Sequence, residues 1–228
     1  MSERGHGSVG GDSETVRIRL LGGFRVSVGD RTVRPDSWRM RKAASLAKLL
    51  ALAPGHHLHR EQAMETLWPE LGRQAASNNL RQALHAARRA LDPDSIVGPR
   101  YLASEDESLV LCPEGQLWVD SNAFEEAARN AHRSREPAAY EVALDLYAEE
   151  LLPGDRYEEW AEEHRRRLRE TYLSLLLGLA RLHEDRADYD SAAEVLRRAV
   201  GEEPTREEAH VGLMRLYALK GSKGEALA

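Results

Sequence analysis

The chain has 228 residues, 42% of them hydrophobic and 31% charged, with a formal net charge of −6 and a single cysteine. That length admits one large domain or two ordinary ones, and no apolar run approaches the ~20 residues needed to cross a bilayer. Cys112 alone cannot form an internal disulfide, and the Gly- and Ser-rich start, 1–12, lacks the apolar stretch of a signal peptide, so the composition fits a soluble, cytoplasmic protein.

The net charge conceals two unlike halves. Residues 15–112 carry a net +5 and residues 113–228 a net −9, with −2 in the leader 1–14. A basic half joined to an acidic one suits a nucleic-acid binder that carries a separate interaction module.

Alternation of apolar and polar residues from Val16 to Leu21, then Phe24, Val26 and Val28, a Gly29–Asp30 turn and Thr32–Val33, predicts a small antiparallel sheet ended by Pro35. A first helix follows Trp38, with Ala43, Leu46, Ala47, Leu49, Leu50 and Ala53 as its apolar stripe and Pro54–Gly55 as its stop. A second spans about 59–68 with Ala63, Met64, Leu67 and Trp68 inward, and a third spans about 75–91. Two extended pieces, 101–103 and 109–111, form a hairpin around the acidic turn 104–108. His56, His57 and His59 cluster without a further ligand at metal spacing, so they are expected as exposed loop residues with no metal.

Beyond Asn122 the pattern is helix after helix. A first pair covers 122–150, with Phe124, Ala127, Ala128, Ala143, Leu144 and Tyr147 as core. A spacing of 34 residues relates Leu182 to Leu216, Ala187 to Gly221 and Ala192 to Ala226, as in tetratricopeptide (TPR) repeats, with Pro204 where a pair would end. Such pairs bury their faces on one another as a short solenoid. Residues 224–228 start a helix and stop, so the repeat domain is expected to be truncated there. Glu158, Glu159, Glu162 and Glu163 alternate with Arg165, Arg166, Arg167 and Arg169 as i,i+4 pairs along one helix. The expected fold is mainly α with small antiparallel β elements. A winged helix-turn-helix domain, 15–113, precedes an all-α TPR-like domain, 114–228.

The chemistry concentrates on the third helix. At 100° per residue Leu80, Leu84, Ala87 and Leu91 share a core-facing arc, while Asn78, Arg81, Gln82, His85, Arg88 and Arg89 occupy the opposite one. Asn and Gln can pair with adenine, Arg with guanine, and all of them with phosphate. No acidic residue occurs between Arg73 and Leu91, unlike an ordinary solvated face. Ser77 and Asn79 join the candidate set beside Asn78. In a winged helix-turn-helix such a helix enters the major groove and the hairpin flanks it, which adds Arg100 and Tyr101 at the base of the wing. Arg39, Arg41 and Lys42 at the start of the first helix are candidate phosphate contacts. No catalytic constellation, Gly-rich phosphate loop or cofactor motif is present in the sequence.

Several stretches together carry a resemblance. They are Leu20–Leu21–Gly22–Gly23–Phe24–Arg25–Val26, Arg60–Glu61–Gln62 through Leu67–Trp68–Pro69, Asn78–Asn79–Leu80–Arg81, Arg88–Arg89–Ala90–Leu91, Val119–Asp120 through Phe124, and Tyr157–Glu158–Glu159–Trp160. The chain resembles the Streptomyces antibiotic regulatory protein (SARP) family, which joins an OmpR-type winged helix-turn-helix to a bacterial transcriptional activator domain of TPR-like helices. The resemblance implies a DNA-binding activator of secondary-metabolite genes that binds repeated half-sites of double-stranded promoter DNA as a homodimer. It also implies contact with RNA polymerase holoenzyme, through its sigma factor, alpha or beta subunits. By position, segment 69–74 with Glu70 and Arg73 corresponds to the loop that OmpR-type domains turn toward polymerase, and larger members continue into an ATPase and sensor repeats. Two other readings remain open from the residues alone: a TPR-type interaction scaffold whose basic half binds something other than DNA, and a repressor that binds nucleic acid without activating.

Overall fold

The computed structural model describes residues 14–93 and 100–221. The chain forms two compact units, and the division does not follow a single cut near residue 113. Among the described residues, 25–93 and 100–118 form one unit with 14–18, whereas Arg19–Phe24 join residues 119–221.

In the first unit, strands β1 (Val16–Arg19), β2 (Arg25–Val28) and β3 (Arg31–Val33) are joined by β7 (Leu117–Val119) in the order β3-β2-β1-β7. The β2–β3 hairpin pairs Val26 with Val33 and Val28 with Arg31, and its turn needs Gly29 at φ 55°. Helix α1 (Arg41–Leu52) buries Ala43, Leu46, Ala47 and Leu50 as expected, with Leu49 only half-buried. In α2 (Arg60–Leu67), Ala63 and Leu67 are buried, but Met64 and the following Trp68 are only half-buried, a correction to the inward face expected of all four.

Helix α3 (Arg73–Leu91) buries Leu80, Leu84, Ala87 and Leu91 together with Ala76, Ala83 and Ala90. The hairpin β5 (Leu102–Glu105) and β6 (Ser108–Leu111) is present, and a short strand β4 (His57–His59) pairs with β6 to give the order β4-β6-β5. Two of the three clustered histidines therefore lie in a strand rather than a loop. The His59 ring accepts from the Glu61 N–H and the Gln62 side chain accepts from the His59 N–H, a capping box that starts α2. Cys112 is buried just past β6, and burial pushes its thiol up to about 12, which leaves almost no nucleophilic thiolate near neutral pH.

The second unit is a stack of helices α4 (Asp120–Ser134), α5 (Pro137–Leu146), α6 (Glu162–Asp185), α7 (Tyr189–Glu202) and α8 (Glu207–Leu219). In its core Tyr147 stacks on Tyr172 at 4.5 Å between centroids and meets Phe124 in a tilted contact at 5.1 Å. Ala127 is half-buried rather than core. The 34-residue spacing has a backbone counterpart, because Ala187 and Gly221 both take the left-handed conformation, at φ 60° and 74°. Leu216 is fully buried, Leu182 is half-buried, and Ala226 lies outside the described residues.

Gly178 and Gly212 share the same spacing. A Cβ on Gly178 would meet the Tyr140 ring at 2.6 Å, and one on Gly212 would meet Leu196 at 2.7 Å. Gly178→Ala should therefore destabilise the chain by about 1–3 kcal/mol through overpacking against a buried ring. Gly201→Ala, in α7 with nothing within 4 Å of the added carbon, should stabilise it by about 0.5–1 kcal/mol through helix propensity. Urea denaturation of the two variants checks the opposite signs.

The expected i,i+4 ladder is corrected in two respects. Glu158 and Glu159 precede α6, and the pairs formed within it are i,i+3: Arg165–Glu162 at 2.7 Å and Arg166–Glu163 at 2.6 Å. Arg165 is moreover buried and donates to the Asp155 carbonyl at 2.6 Å, so it pins the preceding loop instead of decorating a solvated face.

Segment Arg19–Phe24 belongs with these helices because of Asp120. In the first turn of α4, its buried carboxylate accepts from the Leu20 N–H at 2.9 and 3.0 Å, from Leu21 at 3.0 Å and from Ser121 at 2.8 Å. Burial holds this carboxyl above the usual carboxylate range, with the backbone donors and Arg19 opposing the shift only in part. The Leu152 N–H donates to the Leu20 carbonyl at 2.9 Å, and the Gly22 N–H to the Glu150 carbonyl at 3.0 Å. Gly22, at φ 75°, would bring a Cβ to 3.3 Å from Glu149, so glycine suits both the turn and the close approach.

Candidate nucleic-acid interface

The candidate surface lies wholly within the first unit. Three apolar positions per two turns turn one side of α3 inward, and the remaining positions face solvent. Asn78, Arg81, Gln82, His85 and Arg89 are exposed, while Ser77 and Asn79 at the flanks are half-buried. Arg81, Gln82, His85 and Arg89 line a groove of about 840 Å³ together with Ser37, Arg39, Met40, Ala86 and Pro93. The segment that leads into α1 thus brings Arg39 to the same concavity as the outward face of α3. No carboxylate lines this groove among the described residues. Three guanidiniums there suit phosphate, and Gln82 and His85 between them suit a base edge.

Arg41 is exposed and Lys42 half-buried, both in the first turn of α1 outside the groove lining. Sequence spacing alone could not reveal that Arg39, and neither of these two, shares a concavity with α3.

Two positions differ from expectation. Arg88 does not lie on the outward arc. It is half-buried and its Nε donates to the Leu102 carbonyl at 2.8 Å, because at 80° from Leu80 it sits on the flank of α3 toward the hairpin. Burial, and then the charge of Arg60, holds its guanidinium below the usual arginine value. Tyr101 is buried, and its hydroxyl donates to Glu14 at 3.2 Å, so it is not presented at the base of the wing. Burial and Glu14 push that phenol up. Arg100 is exposed at the same end of the hairpin.

At the opposite end the hairpin turns through Glu105, Asp106 and Glu107, all exposed, with Asp106 at φ 51°. Three carboxylates repel a phosphate backbone, which leaves Arg100 at the base as the charge of the wing suited to DNA. Arg60 holds the hairpin from α2: its N–H donates to the Glu107 carbonyl at 2.8 Å and its Nη1 to Ser104 at 3.0 Å. Arg31 donates to the Leu91 carbonyl at the C-terminus of α3. None of these links between residues far apart in the chain leaves a local signal in the sequence.

The segment expected to face polymerase is also altered. Arg73 is not in a loop but opens α3, and it pairs with Glu61 at 2.6 Å. Glu70 is exposed. Next to it, Met64, Trp68 and Leu71 line a concavity of about 520 Å³ with Glu61, Glu65 and Arg73 on its rim.

Three helices followed by a strand hairpin, with the third helix exposing its polar face, define a winged helix-turn-helix, here followed by an all-α domain. Residues 119–228 match the family described as bacterial transcriptional activator domain. Among solved structures the chain is similar to Mycobacterium tuberculosis EmbR in complex with a low affinity phosphopeptide, with a TM-score of 0.73 at 18% identity. The likeness covers 94% of this chain and 57% of that one, so this chain spans little more than half the length of that relative. No curated protein matches. The family match concerns the helical second half of the chain, and the likeness to the solved structure shows a shared fold. Among the described residues no helix is long and apolar enough to cross a membrane.

Proposed function

We propose that the chain is a sequence-specific DNA-binding activator whose winged helix-turn-helix, 15–113, reads promoter DNA and whose activator domain, 114–228, completes the regulator. Helix α3 enters the major groove. Gln82, His85 and Asn78 face base edges, and Arg39, Arg81 and Arg89 hold phosphates around them. Arg41, Lys42, Ser77 and Asn79 lie at the margins of this surface, and Arg100 reaches the backbone from the base of the hairpin. The single observation that carries this reading is the groove shared by Arg39, Arg81 and Arg89, which no carboxylate lines among the described residues.

The resemblance and the family match support the remaining steps. The chain binds repeated half-sites as a homodimer in the cytoplasm, recruits RNA polymerase holoenzyme and controls secondary-metabolite genes. Glu70 and the hollow beside it are the surface offered to polymerase, with Arg73 tied to Glu61.

Selection of bound duplexes from a random pool, followed by titration over salt, tests the reading. Gln82→Ala should relax preference at one base position by about 1–3 kcal/mol. Arg89→Ala should instead weaken all sequences alike and reduce the salt slope by about 0.9. Recovery of no enriched sequence, with affinity indifferent to both substitutions, would favour a protein-interaction scaffold.

A further inference from the structure

The hairpin order β4-β6-β5 leaves β5 at the edge of its sheet. Leu102 pairs with Leu111, and the neighbouring Cys112 N–H donates to the Tyr101 carbonyl at 2.9 Å. Hydrogen-bonded and non-hydrogen-bonded pairs alternate in an antiparallel ladder. Leu102 is therefore a non-hydrogen-bonded position, and its carbonyl points away from β6. Leu102 is also buried, so water does not readily satisfy that carbonyl. Arg88 supplies the donor, its Nε lying 2.8 Å from the Leu102 oxygen. This bond joins the reading helix to the residue two positions after Arg100.

We propose that Arg88 is a positioning residue: it latches the edge strand of the wing to α3 and so fixes where Arg100 meets the DNA backbone. The inference rests on the DNA-binding reading above. A guanidinium suits the task because its planar fork fixes direction as well as distance. Arg60 secures the far end of the hairpin through Ser104 and the Glu107 carbonyl, so the wing is held at both ends by arginines from different helices. An Arg88 that served only as one more phosphate contact would have no need of the Leu102 carbonyl.

A double-mutant cycle on the full chain, with a duplex carrying the selected site, separates positioning from charge. Arg100→Ala alone should weaken binding about tenfold at low salt, the scale of one lost phosphate contact. In an Arg88→Met background the same change should cost less than about twofold, because the unlatched wing no longer presents Arg100. Arg88→Gln should restore the tenfold effect, since the glutamine amide nitrogen sits as many bonds from the backbone as arginine Nε and can donate to Leu102 without carrying charge. Recovery in this variant also excludes general misfolding as the cause of the loss in the methionine variant.

Equal losses from Arg100→Ala in the wild-type and Arg88→Met backgrounds would overturn the proposal and make the two arginines independent contacts. Were Arg100→Ala silent in every background while Arg89→Ala still weakened binding, the wing would not touch DNA and the proposal would fall, leaving the DNA-binding reading intact. Silence of Arg89→Ala as well would remove that reading itself.

Discussion

Replacing Asp120 by alanine is expected to lower folding stability by about 3 kcal/mol, the largest loss anticipated from any single change outside the apolar core. Its carboxylate accepts from three backbone N–H groups, those of Leu20, Leu21 and Ser121. All three residues are buried, so truncation strands their donors where water does not replace the lost acceptor. An unsatisfied buried donor costs about 1–3 kcal/mol, and relief of the buried carboxylate's own desolvation offsets part of the total. Asp120→Asn keeps one acceptor oxygen and should fall between the two. The denaturant midpoint should shift with an unchanged m-value. A loss of under about 0.5 kcal/mol, the range of an ordinary surface change, would mean that Asp120 does not anchor the Leu20–Leu21 segment.

The second large effect concerns charge. Simultaneous Arg39→Ala, Arg81→Ala and Arg89→Ala should reduce the slope of log affinity against log salt by close to 3, at about 0.9 per phosphate contact. At low ionic strength the affinity should fall by about a thousandfold. At high salt, where the wild type has already lost the counterion contribution, the two proteins should nearly converge. All three side chains line one groove, and the substitutions leave the buried face of α3 untouched. Thermal stability should accordingly stay close to that of the wild type. A triple variant with an unchanged slope would place the DNA surface elsewhere.

The outward face of α3 was largely legible in the sequence, for a definite physical reason. A helix of 19 residues repeats its apolar spacing often enough to fix which side faces inward, so Asn78, Gln82, His85 and Arg89 could be placed outward from periodicity alone. Arg88 lies at the margin of that arc, where a rotation of a few tens of degrees decides between solvent and the hairpin, and tertiary structure settled it against the wheel. Tyr101 went astray for a similar reason. Its partner Glu14 is 87 residues away, and nothing nearby in sequence signals the contact.

Strands β4 and β7 are three residues each, too short for alternation to register, and both depend on partners far along the chain. In the helical half, the 34-residue spacing correctly marked Ala187 and Gly221, because a left-handed turn constrains residue size. The ladder from Glu158 to Arg169 misled for the opposite reason: charge alternation carries no information about where a helix starts.

The placement of Arg19–Phe24 with the second unit bears on how the protein is made. Leu20 and Leu21 leave the ribosome early, but Asp120, which receives their N–H groups, follows 100 residues later, and Leu152 emerges later still. Through that interval two leucines that are buried in the finished protein lack these partners, a period in which a chaperone or another nascent chain can capture them. Evolution by exchange of whole cassettes meets the same obstacle. An N-terminal part cut out at residue 113 leaves with Leu20 and Leu21 but without the acid that holds them, so its graft would need a second unit that offers an equivalent carboxylate.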